Sequence, residues 1–123
     1  MSWIPALFVF NFSLLLLHEM DAIRVKEWKM FVVLKSMREE TAYLVFSIVH
    51  LPLYFVVIFA VSHAFSSGYT LVYLLTDVFL IAHMVVHFLF RRNAANGFTS
   101  AYSNILIYAM GILASVHLVS ILV

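Results

Sequence analysis

Apolar residues fill four long stretches of the chain, and polar residues collect mainly between them. The last three stretches are long enough for a helix to cross a hydrocarbon core of roughly 30 Å. The first reaches that length only if its helix continues through "HEMD". The period-2 alternation of a membrane β-strand is missing. The pattern predicts one all-α domain, 1–123, a four-span transmembrane helix bundle with spans at about 3–21, 41–63, 69–90 and 99–123.

The segment between the first two spans has a different pattern. Ile23, Met30 and Leu34 recur there at helical spacing, with lysines and arginines between them. A basic amphipathic pattern of this kind is typical of a helix lying along a membrane surface. We expect an amphipathic interfacial helix over about 23–38, with Trp28 as an anchor. A cytoplasmic extension of the first span is the alternative.

Composition and charge placement agree with a membrane protein. The chain has 123 residues, of which 65% are hydrophobic and 11% charged, and a soluble domain of this size has too little interior to hide them. All seven lysines and arginines fall in two loops, five between spans one and two and the others at Arg91 and Arg92. The positive-inside rule then places both loops in the cytoplasm and both termini outside. We expect membrane lipid as a partner and no nucleic acid.

Imidazoles are unusually frequent in this apolar chain. His83 and His87 lie one helical turn apart in "IAHMVVHFLF", and His50 lies nine residues into the second span. His18 and Asp21 fall at the cytoplasmic end of the first span. Counting about 1.5 Å per residue puts these side chains in one layer of the cytoplasmic half of the bundle. We expect the five to converge.

A divalent metal ion is the simplest reason for such a layer. Imidazole and carboxylate ligands suit zinc, iron and manganese, and ionisable groups in hydrocarbon are costly unless they are paired. Few carboxylates lie nearby, which favours zinc over a di-iron centre. Haem held by His50 and His83 fits the pattern poorly. Neutral histidines that hold the helices together are the alternative.

Other polar residues surround this layer. Glu19 is a candidate general base, although a solvated charge at a helix end is the alternative. Asp77, about 20 Å deep, is a candidate proton relay or substrate contact, and a protonated acid bonded to a hydroxyl is the alternative. His63 and His117 are expected near the outer surface without a role. The stripes of polar residues expected to face inward, as substrate contacts or supports of the metal ligands, contain Asn11, Tyr43, Ser47, Tyr54, Thr76, Asn104 and Tyr108.

Three sequence runs carry a resemblance to a known family. "LHEMDAIRVKEWKMF", "HLPL" and "DVFLIAHMVVH" resemble an uncharacterised family of small bacterial four-helix membrane proteins. A looser likeness is to membrane proteins named for an H-x-x-E-E motif, although Asp21 is followed here by Ala22 in place of a second acid. The resemblance implies the bacterial inner membrane and brings no activity with it.

Two functions from different classes remain open at this stage. The first is a metal-dependent membrane enzyme acting on a lipid or other apolar substrate, by hydrolysis with a metal-activated water or by iron-dependent oxidation. The second is a non-enzymatic module, either an ion or proton conductor or an assembly subunit, with structural buried histidines. Homo-oligomerisation is compatible with both.

Overall fold

Four α-helices make up the described part of the chain. The structure, a computed structural model, describes residues 3–67 and 70–123, and no strand occurs within them. All four helices are long and apolar enough to cross a membrane. The prediction of an all-α protein with four candidate spans is therefore confirmed. The helices are α1 (Trp3–Arg24), α2 (Glu39–Ser67), α3 (Thr70–Phe90) and α4 (Ala101–Leu122).

The first helix continues through the polar "HEMD" run and ends at Arg24. This extension gives α1 22 residues, enough to span the hydrocarbon. It also carries His18 and Asp21 into the bundle, where both are buried. Their partners on other helices make the polar extension tolerable, because a buried polar group is costly mainly when it is unpaired.

One hydrophobic core cluster is formed by α1, α3 and α4, with Leu15, Leu80, Met110 and Ala114 buried in it. Phe8, near the start of α1, packs against His117 near the end of α4, while Asp21 near the end of α1 bonds to Ser103 at the start of α4. These contacts make α1 and α4 antiparallel. Gly111 of α4 faces α3 so closely that an added Cβ would lie 2.7 Å from the Cβ of Met84. A small residue is thus required at this crossing.

The second helix packs more loosely than the others. It contacts α3 and the segment that precedes it, and most of its large side chains face outward, among them Leu44, Ile48, Phe55 and Phe59. Such exposure would be unfavourable in water but suits a helix surrounded by lipid. The loose packing leaves clefts between α2 and the rest of the bundle.

The segment between α1 and α2 forms two short 3-10 helices, Glu27–Met30 and Leu34–Ser36, in place of one continuous helix. Lys26 adopts a left-handed backbone with φ 57°, a conformation that interrupts a right-handed helix. Trp28 is only 4% exposed and packs against the ring of Phe46 on α2. The expectation that Trp28 is an interface anchor is therefore wrong, since this indole belongs to the core.

Candidate metal centre and adjoining clefts

Three histidines from two helices meet at one point in the bundle. His83 and His87 share a face of α3 because they are four residues apart, and His18 approaches them from α1. The Nε2 atom of His83 lies 2.9 Å from Nε2 of His18 and 3.2 Å from Nε2 of His87. We call these three residues the histidine triad. Its ligand atoms all lie within 4.8 Å of one another, a spacing that allows them to hold a metal ion.

Hydrogen bonding alone does not explain this arrangement. Each nitrogen of a neutral imidazole offers either one N–H or one lone pair. The Nε2 atom of His83 therefore cannot make a full hydrogen bond to both neighbours at once. Three lone pairs directed at one cation would satisfy all three nitrogens. With zinc–nitrogen distances of 2.0–2.1 Å and tetrahedral angles, the nitrogens would lie roughly 3.3 Å apart, close to the observed separations.

One feature of His18 does not follow the usual pattern of metal ligands. A ligating imidazole almost always donates its second N–H to a carboxylate, a carbonyl or water. The Nδ1 atom of His18 is buried and has no hydrogen-bond partner in the described ranges 3–67 and 70–123. The triad therefore lacks one protein acceptor that would orient this ring.

Glu27, from the first 3-10 helix, adds a carboxylate beside the triad. Its Oε1 atom lies 3.5 Å from Nε2 of His87, and the residue is buried. Burial, assisted by the nearby carboxylate of Glu19, raises the pKa of Glu27 to about 8. Sequence reasoning missed Glu27 because it lies in a basic segment that we expected along the membrane surface. Its position next to Trp28, a large aromatic residue, was the available signal.

His50 and Glu19 form a separate pair next to the triad. The Nδ1–H of His50 donates to the carbonyl oxygen of Phe46 at 2.5 Å. The other ring nitrogen, Nε2, lies 3.1 Å from Oε2 of Glu19. Nδ1 of His50 already carries the proton of the first bond. The contact between Nε2 and Glu19 is therefore a hydrogen bond only if a second proton lies on Nε2 or on the carboxylate. The contact brings a carboxyl group of α1 and an imidazole of α2 together, and His50 lies outside the triad.

Two clefts adjoin these polar groups. The site cleft, of about 490 Å³, lies beneath the two 3-10 helices and has Glu19, Glu27, His50 and His83 on its walls. The long cleft, of about 240 Å³, runs between α1, α2 and α3 and is lined almost wholly by apolar side chains. Both clefts include Glu19 in their lining. The polar groups are thus reachable from an apolar space.

Asp21 has a different set of partners from the one expected. Its Oδ1 atom accepts from Nε of Arg24 at 2.7 Å, and its Oδ2 atom accepts from the hydroxyl of Ser103 at 2.5 Å. Both carboxylate oxygens are therefore engaged, and Asp21 lies outside the triad. In this structure it ties the end of α1 to the start of α4.

Asp77 also lies away from the triad. Its Oδ2 atom accepts from Nδ1–H of His117 at 2.6 Å, and both side chains are almost completely buried. The rings of Phe8 and Tyr73 pack around His117. The expectation that His117 has no role is therefore wrong, because its side chain joins α4 to α3 inside the bundle. Its position near the outer membrane surface stays a prediction.

The remaining predicted residues divide by location. Tyr54 and Thr76 line the long cleft, and the ring of Tyr54 lies 5.7 Å from that of His50. Asn11 donates to the carbonyl of Met110 at 3.0 Å, which joins α1 to α4. Tyr54 and Thr76 could therefore contact a ligand bound in the long cleft. Asn11 instead holds α1 against α4.

Among the residues that the structure describes, the other four predicted residues make no hydrogen bond or ring contact with the triad. Tyr43 packs its ring against Trp28. Asn104 donates to the carbonyl of Ser100 at 2.8 Å, at the start of α4. Ser47 has a buried hydroxyl without a hydrogen-bond partner in the part of the chain that the structure describes, and Tyr108 is partly buried on α4.

Fold and site together define a class, that of small helical proteins with four candidate membrane spans and a buried histidine cluster. A family model matches residues 4–123, nearly the whole chain, and the protein belongs to this family, DUF6713, a family of unknown function. The expectation that the chain belongs to an uncharacterised family is thus confirmed, whereas the bacterial origin and the sequence pattern stay predictions. No curated protein and no solved structure matches the chain.

Proposed function

We propose that this protein is a metal-dependent integral membrane enzyme that acts on a lipid or another apolar substrate. The observation that carries the proposal is the meeting of three Nε2 atoms at 2.9 and 3.2 Å, beside apolar clefts. Zinc is favoured over iron because three imidazoles are the protein ligands of a typical catalytic zinc site. Such an ion supplies Lewis acidity and an activated water for attack on an ester or amide. Iron-dependent oxidation of the substrate is the alternative reaction.

The proton-transfer groups of the site would come from three residues on its walls. Glu19 and His50, whose Oε2 and Nε2 atoms lie 3.1 Å apart, would give or take a proton at the substrate. Glu27, whose pKa burial raises to about 8, lies beside the triad and suits a general acid or base near neutral pH. The triad itself would hold the ion, whose Lewis acidity would polarise the bond under attack.

The proposal also includes a location. The basic loops favour a multi-pass protein of the bacterial inner membrane with both termini outside, so the triad would lie in the cytoplasmic half of the bundle. Substrate would then come from the surrounding lipid. A homo-oligomer is compatible with the loosely packed α2.

A lipid-turnover assay tests this proposal. The protein is reconstituted into vesicles of mixed bacterial phospholipids with and without added zinc, and released acyl products are measured by mass spectrometry. We expect zinc-dependent release that His87→Ala and Glu19→Gln each abolish, while Glu40→Gln, at an exposed position, retains it. Equal product patterns with wild-type, His87→Ala and empty vesicles would reject hydrolysis.

A second candidate function is supported by the same nitrogen atoms. His18, His83, His87 and Glu27 form a continuous series of polar atoms with separations of 2.9, 3.2 and 3.5 Å. Ionisable groups at such separations are compatible with proton transfer, and intramembrane ionisable residues commonly mark a proton pathway. Proton flux into vesicles, measured with an enclosed pH-sensitive dye, tests this candidate. Flux that is lost in His18→Ala would favour conduction over catalysis.

A further inference from the structure

The long cleft has a polar end and an apolar end. At the polar end it shares Glu19, Leu53 and Phe79 with the site cleft. At the other end it is lined by Ala60 of α2 and Val72 of α3. Leu53 and Ala60 are seven residues apart, so the cleft follows α2 for about 10 Å. The long cleft is therefore an apolar space that extends from the site cleft along α2.

The residues that line the long cleft indicate which kind of ligand it would bind. Between its two ends the walls are formed by aliphatic and aromatic side chains, among them Phe12, Leu15 and Val57, with Tyr54 and Thr76 as the hydroxyl-bearing residues. The cleft lies between helices long and apolar enough to span a membrane, where hydrocarbon is the abundant material. A charged or bulky polar group there would remain without partners at a high cost.

We propose that the long cleft binds one unbranched hydrocarbon chain, with a neutral, hydrogen-bonding head group at Glu19 and with Ala60 setting the chain length. Its role as the chain of the substrate rests on the function proposed above. A neutral head group fits because no lysine or arginine is among the described residues that line the long cleft, so an anion there would have no counter-charge. A cation would find only the carboxyl of Glu19, whose Oε2 atom already lies 3.1 Å from Nε2 of His50. The small side chain of Ala60 leaves room at the far end that a larger residue would fill.

Electron paramagnetic resonance tests this proposal without any turnover. Spin-labelled fatty alcohols of short and long chain length are added to the full-length protein in nanodiscs, and the immobilised fraction is measured. Ala60→Trp should weaken binding of the long alcohol about tenfold, equivalent to about 1.4 kcal/mol, and leave the short alcohol unaffected. The matched control is Ile58→Trp, on the exposed face of α2, and it should bind both alcohols like the wild type.

Further measurements keep the proposal falsifiable. If Ala60→Trp does not fold, Val72→Phe fills the same end from α3 and should give the same chain-length effect. A fatty acid of matching length should bind more weakly than the alcohol, because its carboxylate would be buried without a counter-charge. The proposal fails if both tryptophan variants behave alike, if nothing is immobilised, or if Ala60→Trp changes the oligomeric state, which would mean that a second copy fills the cleft.

A failure of the chain-binding proposal can be distinguished from a failure of the proposed enzymatic function. Chain binding is measured with His83→Ala as well as with the wild type, since His83 does not line the long cleft. Retained immobilisation in a preparation that binds no metal would reject the enzyme but keep the cleft as a binding site. Stoichiometric metal without immobilisation would reject only the chain-binding cleft.

Discussion

Replacing Asp21 by alanine should destabilise the fold without removing a metal ion. The buried hydrogen bond from Ser103 to Asp21, at 2.5 Å, involves a charged acceptor and contributes about 1.5–3 kcal/mol. The Arg24 side chain is 58% exposed, so its ion pair with Asp21 adds at most about 1 kcal/mol. We therefore expect Asp21→Ala to lower the free energy of unfolding by about 3 kcal/mol, and Asp21→Asn to lower it by less.

The assay combines two measurements on the same samples. Unfolding is followed by circular dichroism as the protein is transferred from mild to denaturing detergent, and metal content is determined by elemental analysis. Glu40→Ala, at an exposed position in the first turn of α2, is the control and should change neither quantity. Loss of metal from Asp21→Ala with unchanged stability would refute the reasoning and identify Asp21 as a ligand.

Three further predictions concern packing. Gly111→Ala should cost about 1–3 kcal/mol in detergent unfolding, because its Cβ would lie 2.7 Å from Cβ of Met84, and Met84→Ala in the same chain should restore part of the loss. His117→Leu should cost about 3–5 kcal/mol by leaving Asp77 buried without its partner, and adding Asp77→Asn should recover some of it. Trp28→Ala should cost about 3–5 kcal/mol and make the segment between α1 and α2 sensitive to protease; an unchanged cleavage pattern would contradict the assigned burial.

The sequence alone was sufficient to predict the four helices and part of the histidine triad. Long apolar stretches determine spans in a membrane protein, because lipid-exposed backbone must be satisfied within the helix. The i, i+4 spacing of His83 and His87 places both on one face of α3, and depth counting brought His18 to the same layer. These inferences depend on helix geometry alone.

Other features depend on side-chain partners that spacing does not reveal. Asp21 and His50 lie at suitable depths, yet one bonds to Ser103 and the other pairs with Glu19. The loop residue Glu27 reaches His87 only because Lys26 turns the chain with a left-handed backbone. Such long-range contacts depend on how each helix is rotated about its axis and packed against its neighbours. The hydropathy pattern does not determine that rotation or packing.

Metal analysis of the purified protein tests the central claim most directly. We predict stoichiometric zinc with imidazole nitrogen ligands in X-ray absorption, bound at least about a hundredfold more weakly in His83→Ala, since one ligand of a typical site contributes roughly 3 kcal/mol. His63→Ala, outside the triad, should retain wild-type affinity. A folded wild-type protein that takes up no zinc or iron, or a His83→Ala variant that binds it as tightly as the wild type, would contradict the account.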